Sequence, residues 1–506
     1  VKSKNAIVSR AAMRLPHVFA AGVLVWLLAG CAHVTNRVQG VPLNSPSHAV
    51  PWTPPKRESL KPVEQQPVAP TGQVGELIKR LTLAEAVDIA LQNNPATHIS
   101  WNNARAAAAG YKVTLGSLSP SVNASGTLYD SKGQSYQSKP GSFEGSSNEP
   151  MTVTNATANL SFLLFDFGGR FASIEQSRQA LLAADWTHNA VIQSTVLQTE
   201  ATFFNHVEAK ALLEANRTSL AEAETGLNAA EERHRVGLAT NADVLQAKTA
   251  YSEIKLAVQG TEGQVRVSKG ALAVALGYPA NSPFTFDLVE PGIPNVSITE
   301  TVDQLINRAL AGRPDLQASR ALDLESAAGA KKARSNLLPS LSLTGSAGRT
   351  WIQDVPGFTD NRGGTLLLQI PIFAGFERQF NLSRAKADAA IQRERTRAFE
   401  QSVIFDVFSS HSDFITAGER MKTTDDLVAS ATQSEEVTLG RYKEGVGSIL
   451  DLLSSQKALA MARAEQINAR LAWFIALAQL AHDAGVLGLH GDNPLAPASI
   501  SPEGQP

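Results

Sequence analysis

Cysteine is almost missing from this chain: Cys31 is the single one in 506 residues. That excludes an internal disulfide framework and a thiolate-built metal centre. Aromatic residues make up 6% and charged residues 18%, with a formal net charge of −2. A nucleic-acid surface would need a basic excess, so nucleic acid is not an expected partner. HExxH, a phosphate-binding loop and a dinucleotide fingerprint are all absent, and the ten histidines show no paired metal-ligand spacing. These absences speak against an enzyme, and no catalytic residue, cofactor or metal is expected. The apolar run from Val18 to Leu28 falls short of the ~20 residues a membrane-crossing helix needs. Proline, in turn, is missing from two long stretches, Arg170 to Arg235 and about Phe376 to Lys443.

An unbroken helix over either stretch would be ~100 Å long, several times the width of a small domain. In the first, Ile192, Val196, Phe203 and Val207 recur at steps of four and seven, and Leu197, Phe204 and Ala211 form a second stripe. Phe399, Val403, Val407 and Phe414 do the same in the other. Paired stripes imply packing on more than one side, as in the wall of a cylinder. Each stretch is followed by a glycine-bearing turn and a return helix, about 243–276 and about 451–481.

At the N-terminus, Lys2, Lys4, Arg10 and Arg14 precede the apolar run, which ends in Leu28-Ala29-Gly30-Cys31. This reads as a secretion leader over residues 1–30, with Met13 a candidate true start. The Leu-Ala-Gly-Cys run resembles a bacterial lipobox, so Cys31 is the expected lipidated first residue of the mature chain; Ala32, not an aspartate, follows it. Prolines 42, 46, 51, 54, 55, 62, 67 and 70 then make residues 31–80 an extended tether, either free or wrapped against the fold.

Order begins near Leu81, where Thr82 can cap a helix. After Pro120 the period changes to two: Val122, Ala124, Gly126 and Leu128 alternate with polar residues, and Ala156, Ala158, Leu160, Phe162 and Leu164 do so on the way back. One-sided apolar strands of this length fit a transmembrane hairpin, at ~9–11 residues per crossing. The pattern then repeats. At an offset of 219, Asn94-Pro95 recurs as Arg313-Pro314 and Pro120-Ser121 as Pro339-Ser340; at 208, Arg233, Gly237 and Asp243 recur as Arg441, Gly445 and Asp451. The chain is thus read as two structural repeats, 81–280 and 301–483, joined by a linker at 281–300 and followed by a tail at 484–506. Second-repeat strands are expected within about 339–371. Four strands cannot close a barrel, and open edges are not tolerated in lipid, so the pattern predicts several copies sharing one barrel.

Together the lipobox, the exits Phe165-Asp166-Phe167-Gly168-Gly169-Arg170 and Pro371-Ile372-Phe373-Ala374-Gly375, and the two turn regions resemble the TolC-type outer-membrane efflux family in its lipoprotein branch, over about Leu81 to Leu480. The resemblance implies an α+β membrane protein. Its expected form is a homotrimer with a 12-stranded β-barrel in the outer membrane, four strands per protomer, continued by a long periplasmic α-helical barrel. It further implies a lipid-anchored passive conduit partnered by a periplasmic adaptor and an inner-membrane pump. By position, Asp451 and Tyr442 match the family's periplasmic gate. Ser454 stands where a second acidic residue is often found, and Gly447 where an arginine neighbour of the tyrosine is usual. Arg233, Val236, Gly237, Leu238, Thr240 and Asp243, with Arg441, Gly445, Val446 and Ser448, match the adaptor-docking tips. In the residues' own terms Asp451 suits a helix N-cap and the glycines suit turns. Small-molecule efflux is the leading expectation. A channel for protein secretion and a lumen-less periplasmic spacer are the alternatives.

Overall fold

The computed structural model describes residues 45, 47–52, 81–132, 150–282, 292, 300–353 and 356–487, with strand pieces Arg37–Val38, Val41–Pro42, Ser138–Lys139 and Ser142–Phe143. The leader, Met13, Cys31, most of the tether and the tail beyond 487 lie outside the described residues. In chain order the principal elements are α1 (Leu83–Asn93), α2 (Pro95–Gly116), β1 (Ser121–Lys132), β2 (Pro150–Phe165), α3 (Gly169–Arg235) and α4 (Asn241–Ala275). The same six follow again as α5 (Val302–Gly312), α6 (Pro314–Ser335), β3 (Ser340–Ile352), β4 (Thr359–Gln369), α7 (Glu377–Lys443) and α8 (Ile449–Asp483). Corresponding helices have equal lengths of 11, 22, 67 and 35 residues, so the duplication is one of three-dimensional structure as well as sequence.

Local chemistry accounts for the boundaries. Thr82 Oγ1 accepts the Glu85 N–H at 3.3 Å while Glu85 Oε2 accepts the Thr82 N–H at 2.9 Å, a reciprocal cap that starts α1. Asn94 both ends α1 and starts α2, with Pro95 in the first turn, where its missing N–H costs nothing. Thr301 and Gln304, then Arg313 and Pro314, repeat the arrangement for α5 and α6.

The strands form one antiparallel sheet in the order β1-β2-β3-β4. Its register sets Val122 against Leu160 and Ala124 against Ala158, Phe162 against Leu343, and Leu343 against Leu366. The apolar positions of all four strands therefore share one face. A bulge between Leu163 and Phe165 shifts the last pairing, so that Phe165 meets Leu341. Among the described residues, β1 and β4 each have one unpaired edge.

Strand turns into long helix through left-handed backbone: Phe167 (φ 51°) and Gly168 (φ 87°) before α3, Gly375 (φ 60°) and Phe376 (φ 63°) before α7. Asp166 Oδ2 accepts the Arg170 N–H at 2.6 Å, and Arg170 Nη2 donates back to Leu164 O at 3.0 Å. A Cβ on Gly169 would stand 2.4 Å from Ser335 Oγ, so the start of α3 lies directly on the end of α6.

The apolar core sits at mid-height, where α1 and α5 press on the middles of α3 and α7. Phe203 and Phe204 of α3 pack with Leu272, Trp473 and Phe474 of the return helices, and the Phe204 and Phe474 rings stack at 4.6 Å. Ile192 and Val196 meet Leu305, Leu316, Val403 and Val407. Arg313, buried at the α5–α6 elbow, binds Asp315 at 3.0 Å and Asp406 at 3.1 Å, tying that elbow to α7. Residues 45 and 47–52 form a strap here. Asn189 accepts the Trp52 N–H and donates to Trp52 O, both at 2.6 Å, and Trp101 Nε1 donates to Ser45 O at 3.1 Å. His48 and His98 stack at 3.6 Å, and each places its Nε2 on Gln92 O. This part of the tether is wrapped against the fold.

Candidate functional site: the two helical tips

Each long helix reverses through a six-residue-wide hydrogen-bonded turn that fixes its tip. At the first, Gly237 (φ 76°) lets Leu238 N–H reach Arg233 O at 2.8 Å and Gly237 N–H reach His234 O at 3.0 Å. Thr240 then caps α4: its Oγ1 accepts the Asp243 N–H at 3.3 Å, and Asp243 Oδ2 accepts the Thr240 N–H at 2.8 Å. At the second tip, Gly445 (φ 80°) plays the part of Gly237, and the Val446 and Gly447 N–H groups both donate to Arg441 O at 3.0 Å. Ser448 Oγ accepts the Asp451 N–H at 3.1 Å. Ser448, not Asp451, is the N-cap; Asp451 is its reciprocal partner three residues on, so the capping role anticipated for Asp451 belongs to the shorter hydroxyl side chain.

The two tips touch. Arg233 Nη1 donates to Tyr442 O at 2.6 Å, and its guanidinium lies over the Tyr442 ring at 4.9 Å. Tyr442 is buried among Ala230, Ala247, Ile449 and Leu452, and burial pushes its phenol up from the ordinary value. Its hydroxyl has no hydrogen-bond partner among the described residues. A Cβ at Gly447 would stand 3.1 Å from both Arg441 Cβ and Tyr442 N, so a larger residue there would press on the end of α7. The cation beside Tyr442 comes instead from Arg233 on the other hairpin.

Val236, Leu238 and Val446 are exposed on the turns and Leu450 at the start of α8, and Arg441, Ser448 and Asp451 are exposed beside them. Between α4 and α8 runs an open cleft of about 870 Å³, lined by Leu245, Ile254, Leu450, Met461 and Lys457; Ser454 faces it. Behind the cleft, Arg463 of α8 holds Glu222 of α3 by two hydrogen bonds of 2.9 Å, and Gln456 donates to Glu435 at 3.3 Å. Sequence reasoning named Arg233 and Tyr442 separately and missed the contact between them, as it missed Glu222–Arg463. Partners more than 200 residues apart leave no local pattern.

The profile of the outer membrane efflux protein family matches residues 86–278 and 305–486, which are the two repeats. The chain belongs to the outer membrane efflux protein family. Protein CyaE of Bordetella pertussis is 26% identical over 456 residues, covering 87% of this chain and 92% of that protein. The toluene efflux pump outer membrane protein TtgC of Pseudomonas putida is 24% identical over 461 residues, with 89% and 91% covered. The crystal structure of the outer membrane protein VceC of Vibrio cholerae aligns with a TM-score of 0.69 at 18% identity, over 80% of this chain and 96% of that one. The fold is that of the outer-membrane efflux channels. An outer membrane efflux protein acts in the outer membrane, and the one-sided apolar sheet of this member is the part suited to lie there. No described helix is long and apolar enough to cross a membrane.

Proposed function

We propose that this outer membrane efflux protein is a homotrimeric, passive conduit that passes small molecules from an inner-membrane pump and a periplasmic adaptor to the exterior. The carrying observation is the sheet with both outer edges open, in a chain whose family resides in the outer membrane. An unpaired edge in lipid costs several kcal/mol for each unsatisfied backbone group, on the order of the stability of a whole domain over a full strand. Pairing β4 of one copy with β1 of the next removes that cost, and three copies give a closed barrel of twelve strands. Exposed Phe405, Phe408 and Ile415 on α7 supply apolar surface for the contact between copies below the membrane.

Within that assembly the tips face the periplasm, since they lie ~100 Å along α3 and α7 from the strands. The exposed Val236, Leu238 and Val446 on rigid, capped turns are suited to docking the adaptor, and the α4–α8 cleft extends that surface. Asp451, exposed and held on the first turn of α8, would form a ring of three carboxylates around the aperture, favouring cations over anions there. Tyr442 holds the two hairpins together behind it, with Ser454 on the cleft side. Cys31 is the proposed lipid anchor.

Planar-bilayer recording tests the conduit. Purified protein is expected to form channels that prefer cations, with the preference reduced in Asp451→Asn; a protein that forms no channels under any condition is not a conduit. In cells, deletion is expected to sensitise growth to toxic small molecules and leave secreted proteins unchanged. The reverse pattern would assign the channel to protein secretion.

A further inference from the structure

Just below the sheet, α3 and α6 part to leave a cleft of about 520 Å³. Its lining is partly apolar, from Phe167, Phe171 and Leu338, and partly charged, from Lys331, Arg334 and Glu175. Neither Lys331 nor Arg334 has an ion pair or side-chain hydrogen bond among the described residues, whereas nearby Arg170 and Arg378 are engaged by Leu164 O and Asn336 O. Glu175 uses only Oε1, for Gln179 at 2.6 Å and Arg178 at 3.4 Å, which leaves Oε2 free. A second cleft at the α6–α7 seam, about 430 Å³, holds Asp166 and Arg378, both already bonded. Idle cations therefore distinguish the α3–α6 cleft from the α6–α7 one.

Its position adds to the argument. Phe165, the last residue of β2, is 53% exposed, and Phe167 and Phe171 below it are 50% and 64% exposed. Bare aromatic rings at the end of a membrane strand belong at the lipid–water boundary, which places the cleft at headgroup level on the periplasmic side. The seam lies between α2 and α7, the outermost of the four helices that hang from the sheet, so closure through β1 and β4 leaves it uncovered.

We propose that this cleft binds one glycerophospholipid of the periplasmic leaflet through its headgroup, with preference for an amine-bearing headgroup. Lys331 and Arg334 hold the phosphate diester, the Arg by its planar fork. Glu175 Oε2 accepts from the lipid ammonium, and Phe167, Phe171 and Leu338 lie along the upper acyl chains. The inference rests on the sheet being in the membrane and is independent of the gate and of adaptor docking.

Native mass spectrometry of purified full-length protein equilibrated with phosphatidylethanolamine or phosphatidylglycerol in detergent tests it. The wild type is expected to retain one phosphatidylethanolamine per chain. The pair Lys331→Ala and Arg334→Ala is expected to retain it about thirtyfold less, the loss of two surface-level cationic contacts. The charge-keeping pair Lys331→Arg and Arg334→Lys should retain lipid, and Glu175→Gln should lose the preference between the two lipids. Equal retention by the alanine pair overturns the proposal, as does displacement of the lipid by soluble phosphoethanolamine at matched concentration, since the apolar lining would then contribute nothing. Channel conductance is expected to be unchanged in the alanine pair. A pair that loses both lipid and conductance points to a failed barrel and overturns a dedicated site.

Discussion

Replacing Arg233 with alanine is expected to loosen the contact between the two tips without unfolding the protein. Arg233 makes two contacts across the tips, a charge-assisted hydrogen bond of 2.6 Å to Tyr442 O and a cation–π contact at 4.9 Å. A hydrogen bond to a charged group contributes ~1.5–3 kcal/mol when buried. Arg233 is only partly buried, and Tyr442 O also accepts the Gly445 N–H at 3.1 Å, so the low end applies. The ring contact adds ~0.5–1 kcal/mol. Together they amount to ~2 kcal/mol, a ~30-fold change in the balance between joined and parted hairpins. The assay is the fraction of time that single channels in planar bilayers spend in their higher-conductance state. Arg233→Ala should raise that fraction steeply and Arg233→Lys should raise it less, because an ammonium keeps the charge but not the flat stacking surface. Tyr442→Phe should leave it unchanged, since the link uses the backbone carbonyl and the ring, and the hydroxyl has no partner among the described residues. If Tyr442→Phe opens the channel as much as Arg233→Ala, or Arg233→Ala has no effect, the tip contact does not hold the channel closed.

Three further outcomes follow from other parts of the fold. Gly169→Val forces a side chain into Ser335, 2.4 Å from the Cβ position, and should cost ~1–3 kcal/mol, seen as a lower midpoint in denaturant unfolding. Burial pushes the Asp185 carboxyl up to about 8 from 3.8, so folding takes up a proton; the stability it contributes is complete below 3.8 and lost as pH rises towards 8. Asp185→Asn should therefore be more stable than the wild type at pH 7, by on the order of 2–4 kcal/mol in denaturant unfolding, and indistinguishable from it near pH 4. Burial also holds the His48 and His188 imidazoles below the ordinary 6.5, so the strap contact is complete above that value and weakens as pH falls below it. Tryptophan emission from Trp52 and Trp186, whose rings meet at 5.5 Å, should shift over that acid range, and His48→Gln should shrink the change.

Much of this architecture is written in short-range signals. A period of two marks the membrane faces of Val122 to Leu128 and Ala156 to Leu164, and the register lines those residues up across the sheet. Glycine followed by a hydroxyl residue and an aspartate three positions on marks each tip, because reversal needs a left-handed residue and the next helix needs a cap. Three things were not legible. Composition cannot separate a free tether from a docked strap; that depends on one amide, Asn189, meeting both backbone groups of Trp52. The cation at Tyr442 was sought near Gly447 in sequence and lies on the other repeat, because the packing angle of two hairpins decides it. The α3–α6 cleft arises where two helices separate beyond the tight contact at Gly169, which no local motif records.

The strap also determines where a pull on the chain is felt. Fourteen residues separate Cys31 from Ser45, enough to span at most ~50 Å. Trp101, which holds Ser45, lies ~22 Å along α2 from the end nearest the strands, so a tether from Ser45 to an anchored Cys31 would be long enough to reach the leaflet. Tension on an anchored Cys31 would arrive first at Trp101 and Asn189, at the girth of the molecule. The strap would act as a mooring line made fast amidships, sparing α1 and its cap at Thr82 from the load.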